Sequence, residues 1–105
     1  MKTAQTRFFV GQIVHHNLFD YRGVVVDVDC CYQGDEQWYE RMAVTRPPKD
    51  EPWYQILVDN SDGEAYVAEK NLESDLLQEP VEHPLVQYFF ECFENGFYKK
   101  RTPSH

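Results

Sequence analysis

The 105-residue chain is short of the residues that small proteins use for chemistry. Its three serines, Ser61, Ser74 and Ser104, fall in turns or in the tail, and none sits in a G-x-S-x-G frame that would expose a nucleophile. There are only 5 glycines, and they form no phosphate-binding loop. The 3 cysteines, Cys30, Cys31 and Cys92, are odd in number; two are adjacent and none forms a C-x-x-C pair, so neither a disulfide framework nor a zinc knuckle is spelled out. Long apolar runs are missing as well. MKTAQTRFFVGQIVHH lacks the core of a signal peptide, and no stretch approaches the roughly 20 apolar residues of a membrane-crossing helix. Together these absences predict a non-catalytic protein of the reducing cytoplasm, with no metal, no cofactor and no membrane attachment.

Cations are scarce too: 10 Lys and Arg stand against 18 Asp and Glu, a formal charge of -8. The deficit is uneven. Residues 1–22 carry +2, residues 23–98 set 17 acids against Arg41, Arg46, Lys49 and Lys70, and Lys99, Lys100 and Arg101 return +3. An acidic body repels phosphate and forfeits the counterion release that drives most nucleic-acid affinity, so any DNA contact must come through the basic ends or a local patch.

What the sequence does have is strand character. Phe8, Val10, Ile13 and Val14 flank Gly11, which suits a short first strand entered through a turn or bulge. In YRGVVVDVD, Val24, Val26 and Val28 fall on one face and Val25, Asp27 and Asp29 on the other, with Gly23 marking the turn into the strand. The stretch CCYQGDEQWYERMAVTRPPKDEP is a long excursion in which QWYERMAV can form a short helix ended by Pro47 and Pro48. WYQILVD and EAYVAEKNL form a hairpin around NSDG, whose glycine suits positive φ. In HPLVQYFFECFENG, Leu85, Phe89, Cys92 and Phe93 lie at helical spacing behind Pro84 and before Gly96, which predicts a terminal helix with Cys92 buried in its stripe. The architecture expected is one domain over residues 1–105, mainly β. A small SH3-like β-barrel covers about 8–80, a C-terminal helix about 84–95, and a flexible basic tail 97–105.

Candidate binding residues gather at HHNLFDYRG, the connector between two strands. His15 and His16 are neighbours on a strand, so they point to opposite faces and do not suit one metal ion. Asp27 and Asp29 share a face, as an acid and base pair would, but a solvated outer face is the simpler account. Phe19, Tyr21, Trp53, Tyr54 and Tyr66 fall near strand ends, where small barrels gather rings into a shallow face for a peptide, a methylated group or a base; core packing accounts for most of them. Phe19 is expected to plug the barrel end, with Tyr21 and Arg22 left outward. The candidate surface for protein or DNA is therefore His15, His16, Phe19, Tyr21, Arg22, Trp53 and Tyr54, with Lys99, Lys100 and Arg101 of the tail.

The pattern F-x-x-G-Q-x-V-x-H-x-x-F-x-Y-R-G-V-V-x-D-V-D from Phe8 to Asp29, Pro52-Trp53-Tyr54, Y-V-A-E-x-x-L from Tyr66 to Leu72, and His83-Pro84 together resemble the YccV-like (HspQ) family of bacterial heat-shock and hemimethylated-DNA-binding proteins. The resemblance implies an SH3-like barrel, no catalysis and two roles. One is binding to hemimethylated origin DNA and so control of the replication initiator. The other is turnover of denatured proteins, including a defective initiator, as a partner of an ATP-dependent protease. The acidic body favours the protease partner. In the DNA alternative, Phe19 or Tyr21 reads a methyl group in the major groove while His15, Arg22 and the tail cations meet phosphates. Assembly with further copies of the chain stays open.

Overall fold

The computed structural model describes residues 6–101. Strands β1 (Ile13–His16), β2 (Arg22–Asp29), β3 (Trp53–Val58), β4 (Glu64–Ala68) and β5 (Leu72–Ser74) form one antiparallel sheet in the order β4-β3-β2-β1-β5. A second sheet is the hairpin of β6 (Phe90–Glu94) and β7 (Phe97–Lys100). Helix α1 (Glu36–Met42) lies in the excursion after β2, and α2 (Val86–Phe89) is a single turn before β6. The mainly β fold expected from the sequence is present. No helix among the described residues is long and apolar enough to cross a membrane.

The sheet rolls, and chain length shows why. β4 and β5 are opposite edges, yet only the 3-10 turn Glu69–Asn71 joins them. Four Cα steps reach roughly 14 Å, whereas five flat strands would set the edges roughly 19 Å apart. The two edges must therefore approach at this corner. They do not pair, so the closed barrel expected from the sequence is an open, rolled sheet.

The inner face of the roll buries Phe8, Val14, Val25, Tyr54, Ile56, Val67 and Leu72. The outer face is covered twice. Over Ile13, Val24 and Leu57 lie Val81, Phe90 of β6 and Tyr98 of β7, and over Trp53 and Ala68 lie Tyr39 and Ala43. Burial on both faces explains the apolar run Val24-Val25-Val26, and a bulge between Val25 and Asp27 corrects the expected phase. Val25 pairs with Ile56 and Val28 with Tyr54, so Val25 and Val28 share the inner face while Val24 packs outward. Gly23 lies inside β2 and is required by close approach: a Cβ there would stand 2.5 Å from Ile56 Cγ2 and from the Leu57 carbonyl oxygen.

Helix α1 is capped by Asp35, whose side chain accepts from Trp38 N at 2.7 Å, and it ends at Met42, before the prolines. In the β3–β4 turn the left-handed residue is Asn60 (φ 60°); Gly63 is not in that region. The larger correction concerns the C-terminus. The expected helix over 84–95 is only the turn α2, and Phe97–Lys100, expected as flexible tail, is a strand; residues 102–105 lie outside the described set. Asn95 (φ 56°) and Gly96 (φ 88°) make the tight reversal between β6 and β7, the Asn-Gly signature of a type I′ hairpin. Cys92 is exposed on β6, against the expected burial.

Candidate binding groove

The connector Asn17–Tyr21 is held from beneath by one ring. Nδ1 of the buried His16 accepts from the backbone N–H groups of Leu18 (3.1 Å) and Phe19 (3.0 Å). His16 N donates to the Tyr21 carbonyl at 2.7 Å, and Phe19 and Tyr21 lie against its ring at 4.7 and 5.0 Å between centroids. An Nδ1 that accepts twice carries no proton, and burial, with a smaller contribution from His15, lowers the His16 pKa to match. Burial also pushes the Tyr21 phenol up to about 12. With the backbone fixed in this way, the side chains of Leu18 and Phe19 are left half exposed.

A second wall comes from the excursion. Tyr39 of α1 and Ala43, which follows the helix, pack on Trp53 and Ala68, which stands Trp38 beside Tyr66 with centroids 5.8 Å apart. Tyr66 donates its hydroxyl to Asp29 Oδ2 at 2.5 Å and accepts from Gln33 N at 3.1 Å; burial first, then this bond to Asp29, raises its pKa. Tyr32, Trp38, Trp53 and Tyr66 touch one another with centroids 4.9–6.3 Å apart, so they form a packed cluster and not an open cage for a methylated lysine. Met42 and Val44, at the end of α1, are left largely exposed.

Between the connector and α1 runs an open groove of about 640 Å³. Leu18 and Phe19 of the connector line it together with Met42 and Val44, and so do Asp29, Asp35 and Glu64. These four are the same apolar side chains that solvent reaches, each at least 50 % exposed.

Of the residues singled out in the sequence, His16, Phe19, Tyr21 and Trp53 meet at this groove, though Trp53 is almost wholly buried. His15 points elsewhere, its Nε2 on Asp20 at 2.7 Å and its Nδ1 on Glu73 at 3.0 Å. The expected arrangement of Phe19 as a plug with Tyr21 and Arg22 outward is reversed: Phe19 is exposed, Tyr21 is half-buried, and Arg22 is turned into the protein. Its guanidinium bonds Asp59 at 2.9 Å and Asp75 at 3.2 Å and also donates to the carbonyls of Pro80 and Glu79. Tyr54 is a core residue whose hydroxyl donates to Glu69 and accepts from Arg7 N and Phe8 N. Lys99 and Lys100 are exposed on β7 away from the groove, and Arg101 Nε donates to the Gln87 carbonyl at 2.8 Å. Sequence reasoning missed Leu18, Trp38, Met42 and Val44. The i, i+4 pair Trp38–Met42 on one side of the short helix was the available signal.

The profile of the family described as YccV-like, hemimethylated DNA-binding protein YccV like, matches residues 6–96. The chain belongs to that family.

Proposed function

We propose that this member of the YccV-like family is a non-catalytic cytoplasmic stress protein that engages denatured proteins, the replication initiator among them, and promotes their degradation as a specificity factor for an ATP-dependent protease. The observation that carries this reading is the groove: Leu18, Phe19, Met42 and Val44 stand exposed around one concavity. Denatured chains expose the apolar side chains that such a surface accepts, and a flexible Met42 wall adapts to varied partners. Asp29, Asp35 and Glu64 along the groove disfavour a polyanion. The test adds purified protein to a Lon- or Clp-type protease with a panel of denatured substrates. Degradation accelerates, and the double variant Phe19→Ser with Met42→Ser loses most of the acceleration while its unfolding midpoint moves little, since both side chains are more than half exposed. Unchanged rates with every substrate for the unsubstituted protein remove the reading.

A second reading, binding to hemimethylated DNA, is favoured by the family's description and by Lys99, Lys100 and Arg101 close together at the end of β7. It ranks behind the first because Arg22 is committed to Asp59 and Asp75, and because Phe19 shares its groove with three carboxylates. Equal affinity for hemimethylated and unmethylated duplexes at moderate salt would end it.

A further inference from the structure

Resting on the reading of this protein as a binder of denatured chains, we infer that the free edge of β4 forms the floor of the groove and takes an extended polypeptide segment as an added strand, its side chains alternating apolar and cationic.

All five consecutive residues of β4, Glu64 to Ala68, line the groove. Side chains alternate between faces along a strand, so a single cavity can meet all five only along the strand's edge. That edge is free: β4 ends the sheet, and among the described residues no backbone bond outside the β3–β4 ladder involves Glu64–Ala68.

The direction of the free groups follows from two bonds that bracket the ladder. Val58 N donates to the Gly63 carbonyl, and Glu69 N donates to the Pro52 carbonyl. In an antiparallel pair, bonded and non-bonded positions alternate. With Ile56 opposite Ala65 and Tyr54 opposite Val67, those two residues bond to β3, and Glu64, Tyr66 and Ala68 turn their N–H and C=O groups outward. Natural sheets protect such an edge with lysine, proline or a bulge. EAYVA has none of these, and its pairing with β3 is regular.

The two sides of the groove differ in chemistry, and that selects the occupant. An added strand sends alternate side chains to the side where Ala65 and Val67 point, that of the apolar inner face. The others go to the side where Glu64 and Tyr66 point, beside Trp38 and the carboxylates Asp29 and Asp35. Apolar side chains suit the first side and cations the second, where aromatic faces and carboxylates act together.

The test uses the full chain, amide hydrogen exchange read by NMR, and a short alternating lysine–isoleucine peptide. Added peptide slows exchange at Glu64, Tyr66 and Ala68 and leaves Ala65 and Val67, already bonded to β3, unchanged. N-methylation along one edge of the peptide weakens binding at least tenfold and along the other edge does not, a distinction that contact between side chains alone would not make. An alternating glutamate–isoleucine peptide binds at least tenfold more weakly. Ala68→Pro removes an outward N–H at a residue whose φ of -69° already suits proline, and it reduces peptide affinity at least tenfold with the fold retained. Protection spread evenly over β4, or equal binding of both N-methylated peptides, overturns the inference. So does protection at Tyr66 and Ala68 in the free protein that disappears on dilution, which would assign the edge to a second copy of the chain. If the peptide adds as a strand and the protease assay stays flat, the function falls and strand addition stands; accelerated degradation without selective protection gives the reverse.

Discussion

At the scale of single residues, two adjacent histidines are built to titrate in opposite senses. His16 must stay neutral to accept from Leu18 and Phe19, and its pKa lies below 6.5. Its contribution to stability is therefore complete above pH 6.5 and is lost as the pH falls below that value, where the unfolded chain takes up a proton that the folded one resists. His15 is raised above 6.5, chiefly by its hydrogen bond to Asp20 and also by Glu73, against a lowering by burial. Its contribution is complete below pH 6.5 and fades as the pH rises through the folded value. The two partly cancel in the natural protein. His15→Ala leaves the His16 limb alone, so its thermal midpoint drops more between pH 7.5 and 5.5 than that of the parent. His16→Ala removes the one acceptor of both N–H groups at a cost of about 1–3 kcal/mol and abolishes the acid limb. Arg22 gives a sharper case. Asp59 and Asp75 have side chains only 9 % and 8 % exposed, so Arg22→Met strands two buried carboxylates and costs about 3–5 kcal/mol in urea unfolding. Arg22→Lys recovers only part of this, since a compact ammonium cannot serve two carboxylates and two carbonyls at once. A cation displayed for phosphate would show neither loss.

At the scale of elements, bulges decide what could be read from the sequence. The hairpin around Asn60, the short helix α1 and the connector Asn17–Tyr21 are legible because local turn chemistry and spacing specify them. A bulge breaks the alternation. In β6 one lies between Phe90 and Cys92, and Phe90 and Phe93 both come to pack with Tyr98, three residues apart, which imitates a helical stripe. In β2 the bulge after Val25 shifts the phase of Val28 in the same way. The Asn95-Gly96 pair was the stronger signal at the C-terminus. The curling of the sheet was expected, as a barrel, but its staying open with β4 and β5 as unpaired edges, and with it the groove, was not legible, because that depends on how the two edges meet across the turn Glu69–Asn71. The hairpin also makes a stability prediction. Tyr98 fills the outer core, and its hydroxyl accepts from Val81 N at 3.0 Å. Tyr98→Phe costs about 1 kcal/mol, and Tyr98→Ala about 3–5 kcal/mol, by urea unfolding. A residue in a frayed tail would cost less than about 0.5 kcal/mol in either form.

At the scale of the whole molecule, charge separates the two readings quantitatively. The exposed cations at the end of the chain are Lys99, Lys100 and Arg101, while the segment 23–98 carries 17 acids, and Arg22, Arg46 and Lys49 are each ion-paired to Asp or Glu. Each phosphate neutralised contributes roughly -0.9 to the slope of log affinity against log salt for duplex DNA. The three cations at the end of the chain therefore contribute a slope of about -3, and repulsion from the acidic body flattens it at low salt, where screening extends to roughly 30 Å at 0.01 M. Duplex binding measured between 50 and 200 mM salt should show a slope no steeper than this. The double variant Lys99→Gln with Lys100→Gln should abolish it without changing affinity for the lysine–isoleucine peptide. The peptide should respond to the other end of the charge map: Asp29→Asn with Asp35→Asn weakens it and flattens its own salt dependence, because those carboxylates lie on the side of the groove that receives the peptide's lysines. A steeper duplex slope that survives loss of both lysines would place the phosphate contacts on other cations, Arg7, Arg41 or Lys70 among them, and would transfer the function from the groove to DNA.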